Sequence, residues 1–401
     1  MNANPEFNFF DAAGMASSTV SKSAIGAYHL KETNPRDSPL INEIRLECRN
    51  LCGWDRETFP GSQPVSLTRK NLGSLKSSPF VVCEKSDGER HMLLIYKQHV
   101  YIIDRTFNIY RVEVTFPDME RTSLLDGELI IDMPKGPTGP KKIRYLVYDA
   151  VHVSGRSVAK ETLLYRLRVA FLELVRPRKR STTDPFDVFV KDFFDVCHSA
   201  SIVFPYGCRL PHECDGLIFT PANDPYKPGT CHRLLKWKPA HLNTVDFIVE
   251  LVMGYEPSQL HAKLLPAVAG IQKFTGIWLA RTGEMWNWLI ENRKEVNNKV
   301  VECGWDPEAY TFVPSSRTDF VDTGEWVKGG GWVLHRLRDD RTIPNDESVV
   351  EKVKASIADG ISIEDLHKAL QAVPKLRLPA AKSKRPLEDG AVNEPNKVHR
   401  Q

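Results

Sequence analysis

From Phe80 to about Val153 the apolar residues come in short, dense runs separated by charged and turn-forming residues. Phe80-Val81-Val82-Cys83, Met92-Leu93-Leu94-Ile95-Tyr96, Val100-Tyr101-Ile102-Ile103, Ile109-Tyr110-Arg111-Val112, Leu124 through Ile131 and Ile143 through Val153 follow one another closely. Runs of this length, rich in β-branched residues, predict buried strands. Further strands are predicted at Asp215 to Thr220 and Leu234 to Lys238, and after Pro239 the pattern resets with Thr244 to Val252. Helical periods frame them. Ile41, Ile44, Cys48, Leu51 and Cys52 share one face of a helix opened by Ser38-Pro39 and ending near Gly53. Apolar residues at 163, 164, 167, 170, 171 and 174 predict a second helix between Lys160 and Val175. The acidic, aromatic stretch from Asp184 to Val196 fits neither period.

The reset near Pro239-His241 divides the chain. Residues 1–38 mix small, polar and proline residues without periodicity and read as a flexible lead-in. Residues 39–240 form a first domain of antiparallel sheets and helices, an α+β arrangement. Residues 241–346 alternate short apolar runs with turns and suit a small β-barrel, in which Gly329-Gly330-Gly331, between Trp326 and Trp332, predicts an extended loop feeding a last strand. Asp306 to Gly331 receives no functional assignment. Residues 347–373 read as two short helices, the second opened by the capping box Ser362-Ile363-Glu364-Asp365 in its acidic variant, and are expected to pack back on the first domain. Residues 374–401 read as a basic, disordered tail.

Composition narrows the function classes. A chain of 401 residues with 41% apolar and 26% charged residues has room for two cores. No segment approaches the ~18 consecutive apolar residues of a membrane span, so no membrane role is expected, and the N-terminus lacks the order of a secretion signal, so an intracellular protein is expected. The eight cysteines are scattered, which argues against a disulfide framework. Cys208, His212, Cys214, Cys231 and His232 lack a Cys-x2-Cys pair, so they do not predict zinc. The net charge is +3, yet Pro374 to Gln401 hold seven Lys/Arg against three Asp/Glu, a surplus of +4, which leaves about −1 for the remainder. Positive charge that matters must therefore be focused in a cleft. Lys382-Ser383-Lys384-Arg385-Pro386 fits a nuclear import address and equally a merely solvated tail.

Candidate chemistry gathers where charges sit at the ends of apolar strands. Glu84-Lys85-Ser86-Asp87-Gly88-Glu89-Arg90 holds a lysine at a strand end with Asp87-Gly88 making the turn. Asp126-Gly127-Glu128, Tyr148-Asp149, Asp215-Gly216 and Lys236-Trp237-Lys238 share that composition, and Arg336-Leu337-Arg338-Asp339-Asp340-Arg341 closes the barrel domain. Burying such charges singly costs several kcal/mol each, so they should converge where they neutralise one another or a ligand. Cations converging with carboxylates point to a phosphate and its divalent metal.

The order Lys-x-Asp-Gly-x-Arg, Asp-Gly-Glu, aromatic-Asp, Asp-Gly-Leu-Ile, Leu-Lys-Trp-Lys resembles the covalent nucleotidyltransferase superfamily of DNA ligases, RNA ligases and mRNA capping enzymes. Phe59-Pro60-Gly61-Ser62-Gln63-Pro64-Val65-Ser66 upstream and Arg338-x-Asp340-Arg341 downstream look like the guanylyltransferase of mRNA capping, in its single-function fungal form. The resemblance runs from about Asn42 to about Ile357. It implies an α+β fold: a ligase-type, ATP-grasp-like nucleotidyltransferase domain plus a C-terminal OB-fold barrel. It implies that Lys85 attacks the α-phosphate of GTP, releases pyrophosphate and passes GMP to the 5′-diphosphate end of nascent mRNA.

By family position, Arg90, Arg105 and Glu128 are expected at the ribose and Tyr148 on guanine. Asp215, with Glu128 as second candidate, is expected at Mg2+ or Mn2+, and Lys236 and Lys238 at the α-phosphate. Arg338, Asp340 and Arg341 are expected to close over the triphosphate, with hinge motion around Pro239 to Thr244. Two positions depart from the family pattern: Arg341 stands where lysine is usual, and Tyr148 where phenylalanine is common. A separate RNA 5′-triphosphatase and the phosphorylated C-terminal domain of RNA polymerase II are the implied partners, and the nucleus the implied location. An ATP-dependent polynucleotide ligase and a non-catalytic RNA- or polymerase-binding scaffold are the alternatives.

Overall fold

The computed structural model describes residues 20–133, 140–253, 260–281, 283–315 and 324–376. The chain forms two compact units: Met1–Val65, Leu75–Lys236 and Leu370–Gln401 make one, Ser66–Ser74 and Trp237–Ala369 the other.

Two sheets build the first unit. In the larger, the path runs Tyr28–His29, Ile109–Val112, His99–Asp104, Glu89–Tyr96, Ser123–Asp132, Lys142–Val153, Asp187–Val190. Only the last pair is parallel. Both faces of this sheet are covered, which is why Met92 to Ile95 reads as an unbroken apolar run rather than an alternation. Leu93 and Ile95 enter a cluster with Leu125, Leu129, Tyr145 and Val147 beneath the helix Leu163–Ala170. Met92 and Leu94 enter another with Leu124, Val151 and residues Ile41, Ile44 and Cys48 of the helix Asp37–Cys52. Gly53 ends that helix at φ 64°, its N–H donating to the carbonyls of Arg49 and Asn50, a left-handed cap that glycine adopts at no steric cost.

The smaller sheet is ordered Phe194–Asp195, Phe80–Ser86, Cys214–Pro221, Thr230–Trp237, Gln63–Ser66. The stretch from Asp184 to Val196 resisted a period because it serves both sheets. Asp187–Val190 joins the larger, Phe194–Asp195 joins the smaller, and the chain crosses between them at Lys191.

Two expectations are corrected. The lead-in is structured from Val20: Val20 and Ile25 are 1% exposed within the first core, and Tyr28–His29 adds an edge strand against Ile109–Val112. Val20, Ile25 and Leu30, three buried apolar residues among polar neighbours, supply enough burial to order a segment without periodicity. The helix Glu347–Asp359 meets the stretch 39–240 at Arg69, whose N–H donates to Asp359 Oδ2 at 2.7 Å, but Arg69 itself falls in the second unit. Val350, Val353 and Ile357, spaced as one helical face, join the core of the second unit.

That second unit is a five-stranded barrel. Leu260–Leu265, Thr244–Met253, Val300–Asp306 and Gly331–Leu337 form an antiparallel sheet. A fifth segment closes it: Trp278 bridges Lys263, Leu279 bridges Trp332, and the Ala280 N–H donates to the Trp332 carbonyl at 2.8 Å. Trp286 and Leu289 of the helix Gly283–Glu291 sit in its core. Tyr310–Pro314 and Gly324–Lys328 add a hairpin. The capping box forms as read, with the Asp365 N–H donating to Ser362 Oγ at 3.0 Å and the Ser362 N–H to Asp365 Oδ2 at 3.3 Å. The chain then returns to the first unit, where the Leu376 N–H donates to Asp195 Oδ1 at 2.7 Å. The import address at Lys382 lies outside the described residues.

Candidate active site

Lys85 lies on the strand Phe80–Ser86, one residue before its end. Strand alternation sends Lys85 to one face and its neighbours Glu84 and Ser86 to the other. Behind Lys85, Lys191 Nζ donates to Ser86 Oγ at 2.7 Å and stands 3.6 Å from the Glu84 carboxylate. The turn that follows lies tight against the neighbouring strand. A Cβ at Gly88 would come within 2.4 Å of the Leu129 carbonyl oxygen, so only glycine allows that approach.

Two irregularities aim the residues opposite. Cys214 pairs with Ser86 and Gly216 with Lys85, so Asp215 is the extra residue of a β-bulge. The bulge brings Asp215 Oδ1 to 2.6 Å from Lys85 Nζ. Likewise Asp149 pairs with Asp126 and Val147 with Gly127, which makes Tyr148 the extra residue of a second bulge.

These elements enclose a cleft of about 790 Å³, within the usual range for a small-molecule site. Six residues expected at the nucleotide line it together: Lys85, Arg90, Arg105, Glu128, Tyr148 and Lys236. Asp215 is joined to them through Lys85. Burial pushes the Glu128 carboxyl above its ordinary pKa; the positive charges of Lys191, Lys85 and Arg105 pull it back, and Asp215 pushes with the burial. Lysines, arginine and carboxylates thus share one electrostatic neighbourhood, as the strand-end argument requires.

Arg90 is mostly committed within the protein. Nε and Nη2 donate to the Asp126 carboxylate at 3.0 and 2.5 Å, and Nη1 to the Ser62 carbonyl at 2.5 Å. A guanidinium carries five N–H groups, so two on Nη1 and Nη2 are not used by these bonds, on a side chain 4% exposed that lines the cleft.

Lys238, Arg338, Asp340 and Arg341 belong to the second unit. There Arg338 Nη1 donates to Asp246 at 3.1 and 3.2 Å, its Nε and Nη2 donate to Asp340 at 2.8 and 2.7 Å, and Arg341 Nη1 donates to Asp246 at 2.6 Å. The Arg338 hydrogen bonds hold the Asp340 carboxyl down at about 2.

Asp126, Arg166, Lys191 and Tyr226 are among the cleft residues not expected from sequence at the site. Lys191 follows the apolar Val188-Phe189-Val190 and fits the strand-end pattern, so that signal could have found it. Arg166 interrupts an apolar helix face and is 2% exposed; it grips Asp149 with two hydrogen bonds of 2.6 and 2.8 Å. Tyr226 carries no sequence signal.

A family model for the catalytic domain of mRNA capping enzymes matches residues 30–240, more than half of the chain, and one for their C-terminal domain matches residues 242–367. The chain belongs to the mRNA capping enzyme family. An mRNA-capping enzyme subunit alpha from Schizosaccharomyces pombe is 32% identical, across 84% of this chain and 86% of that protein. One from Candida glabrata is 30% identical, across 80% and 81%. The mRNA-capping enzyme of Danio rerio is 33% identical across 83% of this chain, which spans only 53% of that relative's length. Within the capping enzyme family the cleft falls in the catalytic domain, and Arg338, Asp340 and Arg341 fall in the C-terminal domain. The match favours capping over the ligase alternative.

Proposed function

We propose that the chain is an mRNA guanylyltransferase working through a covalent lysyl-GMP. The observation that carries this reading is Lys85, 28% exposed in a cation-rich cleft, with Asp215 at 2.6 Å as the acceptor within reach of its proton. A lysine attacks only as the neutral amine. Lys85 Nζ gives its proton to Asp215 and bonds the α-phosphorus of GTP, while the bond from that phosphorus to the bridging oxygen breaks and pyrophosphate leaves. An oxygen of the RNA 5′-diphosphate then attacks the same phosphorus, the N–P bond breaks back to Lys85, and GpppN results. Such transfer depends mostly on positioning and electrostatics. Arg105, Lys191 and Lys236 supply positive charge in the cleft. Arg90, Arg105 and Glu128 meet the ribose, Tyr148 stacks on guanine, and Lys236 and Lys238 meet the α-phosphate. Arg338, Asp340 and Arg341 meet the leaving pyrophosphate.

The donor set fits Mg2+ or Mn2+. Asp215 and Glu128 present hard carboxylate oxygens, and among the described residues no group of three or more His, Cys, Asp and Glu could hold an ion. One or two carboxylates plus substrate phosphates is a usual arrangement for such ions. When bound, the ion neutralises phosphate charge.

The acceptor must arrive as a diphosphate, so a separate RNA 5′-triphosphatase is a partner. The phosphorylated C-terminal domain of RNA polymerase II is another, and the nucleus is the site of action. Among the described residues no helix is long and apolar enough to cross a membrane.

The test is incubation of purified protein with α-labelled GTP or ATP and Mg2+ or Mn2+, followed by denaturing electrophoresis. Label from GTP alone, stable to base, labile to acid and absent in Lys85→Ala, is the expected result. Label from ATP would turn the reading to a ligase, and label from neither to a non-catalytic scaffold.

A further inference from the structure

We propose that Asp126 is a positioning residue for the base: it fixes the Tyr148 ring through the tyrosine hydroxyl and ties the Phe59–Ser66 segment to the same point. The proposal rests on the guanylyltransferase reading, in which Tyr148 stacks on guanine.

Asp126 is fully buried. Its Oδ1 accepts from Arg90 Nε and from the Tyr148 hydroxyl, each at 3.0 Å. Its Oδ2 accepts from Arg90 Nη2 at 2.5 Å and from the Tyr226 hydroxyl at 2.7 Å. A carboxylate has about four lone-pair sites, so Asp126 is saturated. The partners also close a ring among themselves. Arg90 Nη1 donates to the Ser62 carbonyl at 2.5 Å, and the Ser62 N–H donates back to the Tyr226 oxygen at 3.0 Å. Gly61 belongs to the same packing: a Cβ there would stand 2.3 Å from the Phe59 ring and 2.7 Å from Arg90 Nη2. The Arg90 guanidinium lies 5.4 Å from the Phe59 ring centre and 5.7 Å from that of Tyr148.

Tyr148 needs such an anchor. As the extra residue of a bulge it lacks a cross-strand partner to set its direction. A phenylalanine there would keep the stacking face and lose the tether. In this chain the hydroxyl and a buried carboxylate do the aiming, and the Pro-Gly-Ser-Gln segment is locked to the carboxylate by Arg90 and Tyr226. Small errors in aim cost much in transfer reactions, because reacting groups must meet within a fraction of an ångström.

The test follows lysyl-GMP formation against GTP and ATP concentration for wild type, Tyr148→Phe, Tyr226→Phe, Asp126→Asn and the double variant Asp126→Asn/Tyr148→Phe, beside thermal melting. Asp126→Asn is expected to raise the KM for GTP about tenfold and to narrow the preference for GTP over ATP, with labelling at saturation within about twofold of wild type. Tyr148→Phe is expected to raise KM about threefold, and the double variant to match Asp126→Asn alone, because the two act through one bond. A lowered melting temperature with KM and nucleotide preference unchanged would reduce Asp126 to a structural role and overturn the proposal; so would additive effects in the double variant. If Asp126→Asn does not fold, the two phenylalanine variants decide the matter, since unchanged KM in both overturns the proposal. Wild type that takes label from neither nucleotide would overturn the guanylyltransferase reading itself. Normal wild-type labelling with unaffected variants overturns only the role of Asp126.

Discussion

His91 stands fully buried on the strand after the Lys85 turn, with Nδ1 3.0 Å from the Glu89 carbonyl oxygen. Burial, and next the charge of Lys22, lower its pKa from 6.5 to about 4. In the unfolded chain it titrates near 6.5. The unfolded state therefore binds more protons between the two values, so stability is full above pH 6.5 and declines as pH falls toward about 4. The loss is about 3 kcal/mol at most. Urea unfolding at pH 7.5 and pH 5 should show a drop in midpoint that shrinks in His91→Gln; an equal drop in both proteins would count against this account. At this scale legibility followed composition. Lys85, Glu128 and Lys236 were readable because a charge beside an apolar run is conspicuous, whereas Arg105 came only from the family resemblance. In the sequence Asp126 stands out only as part of an Asp-Gly-Glu motif. Its importance comes from partners 36 and 100 residues away, Arg90 and Tyr226, which no local pattern announces.

Most strands and helices were visible as periods, and the failures have physical causes. A bulge adds one residue without changing local hydrophobicity, so the devices that aim Asp215 and Tyr148 leave no trace in a strand pattern. The segment from Val20 to His29 was read as loose because its anchors are single apolar residues. Ile25, 1% exposed in the first core, is one of them. Ile25→Ala should destabilise the protein by about 2–5 kcal/mol, the usual cost of emptying a core isoleucine site. Chemical denaturation measures it, and a change below about 0.5 kcal/mol, typical of a surface position, would restore the loose reading. The segment Glu347–Asp359 reads as a short helix and is one, yet an apolar face carrying Val350 says only that something covers it, not which core.

For the whole molecule, charge is the property most directly read from sequence. The surplus of +4 from Pro374 onward outweighs the near-neutral remainder, and the import address lies within it. A chain ending after Leu376 should therefore keep its melting temperature and lysyl-GMP formation but lose nuclear accumulation as a fluorescent fusion. Unchanged accumulation would remove the address. The reset after Pro239 was visible in the sequence, whereas the allotment of Ser66–Ser74 to the second unit and of the chain after Leu370 to the first was not. Such allotments depend on contacts across hundreds of residues, and hydrophobic periods report only neighbours.

The hydrogen bond from Leu376 to Asp195 spans 181 residues of chain. At about 5–20 residues per second, a ribosome takes roughly 10 to 40 s to travel from one partner to the other. During that interval the first unit exists without its last segment while the second is still being made. The finished nucleotide cleft is thus assembled on a body that is completed late, and chain emerging in between must stay soluble on its own.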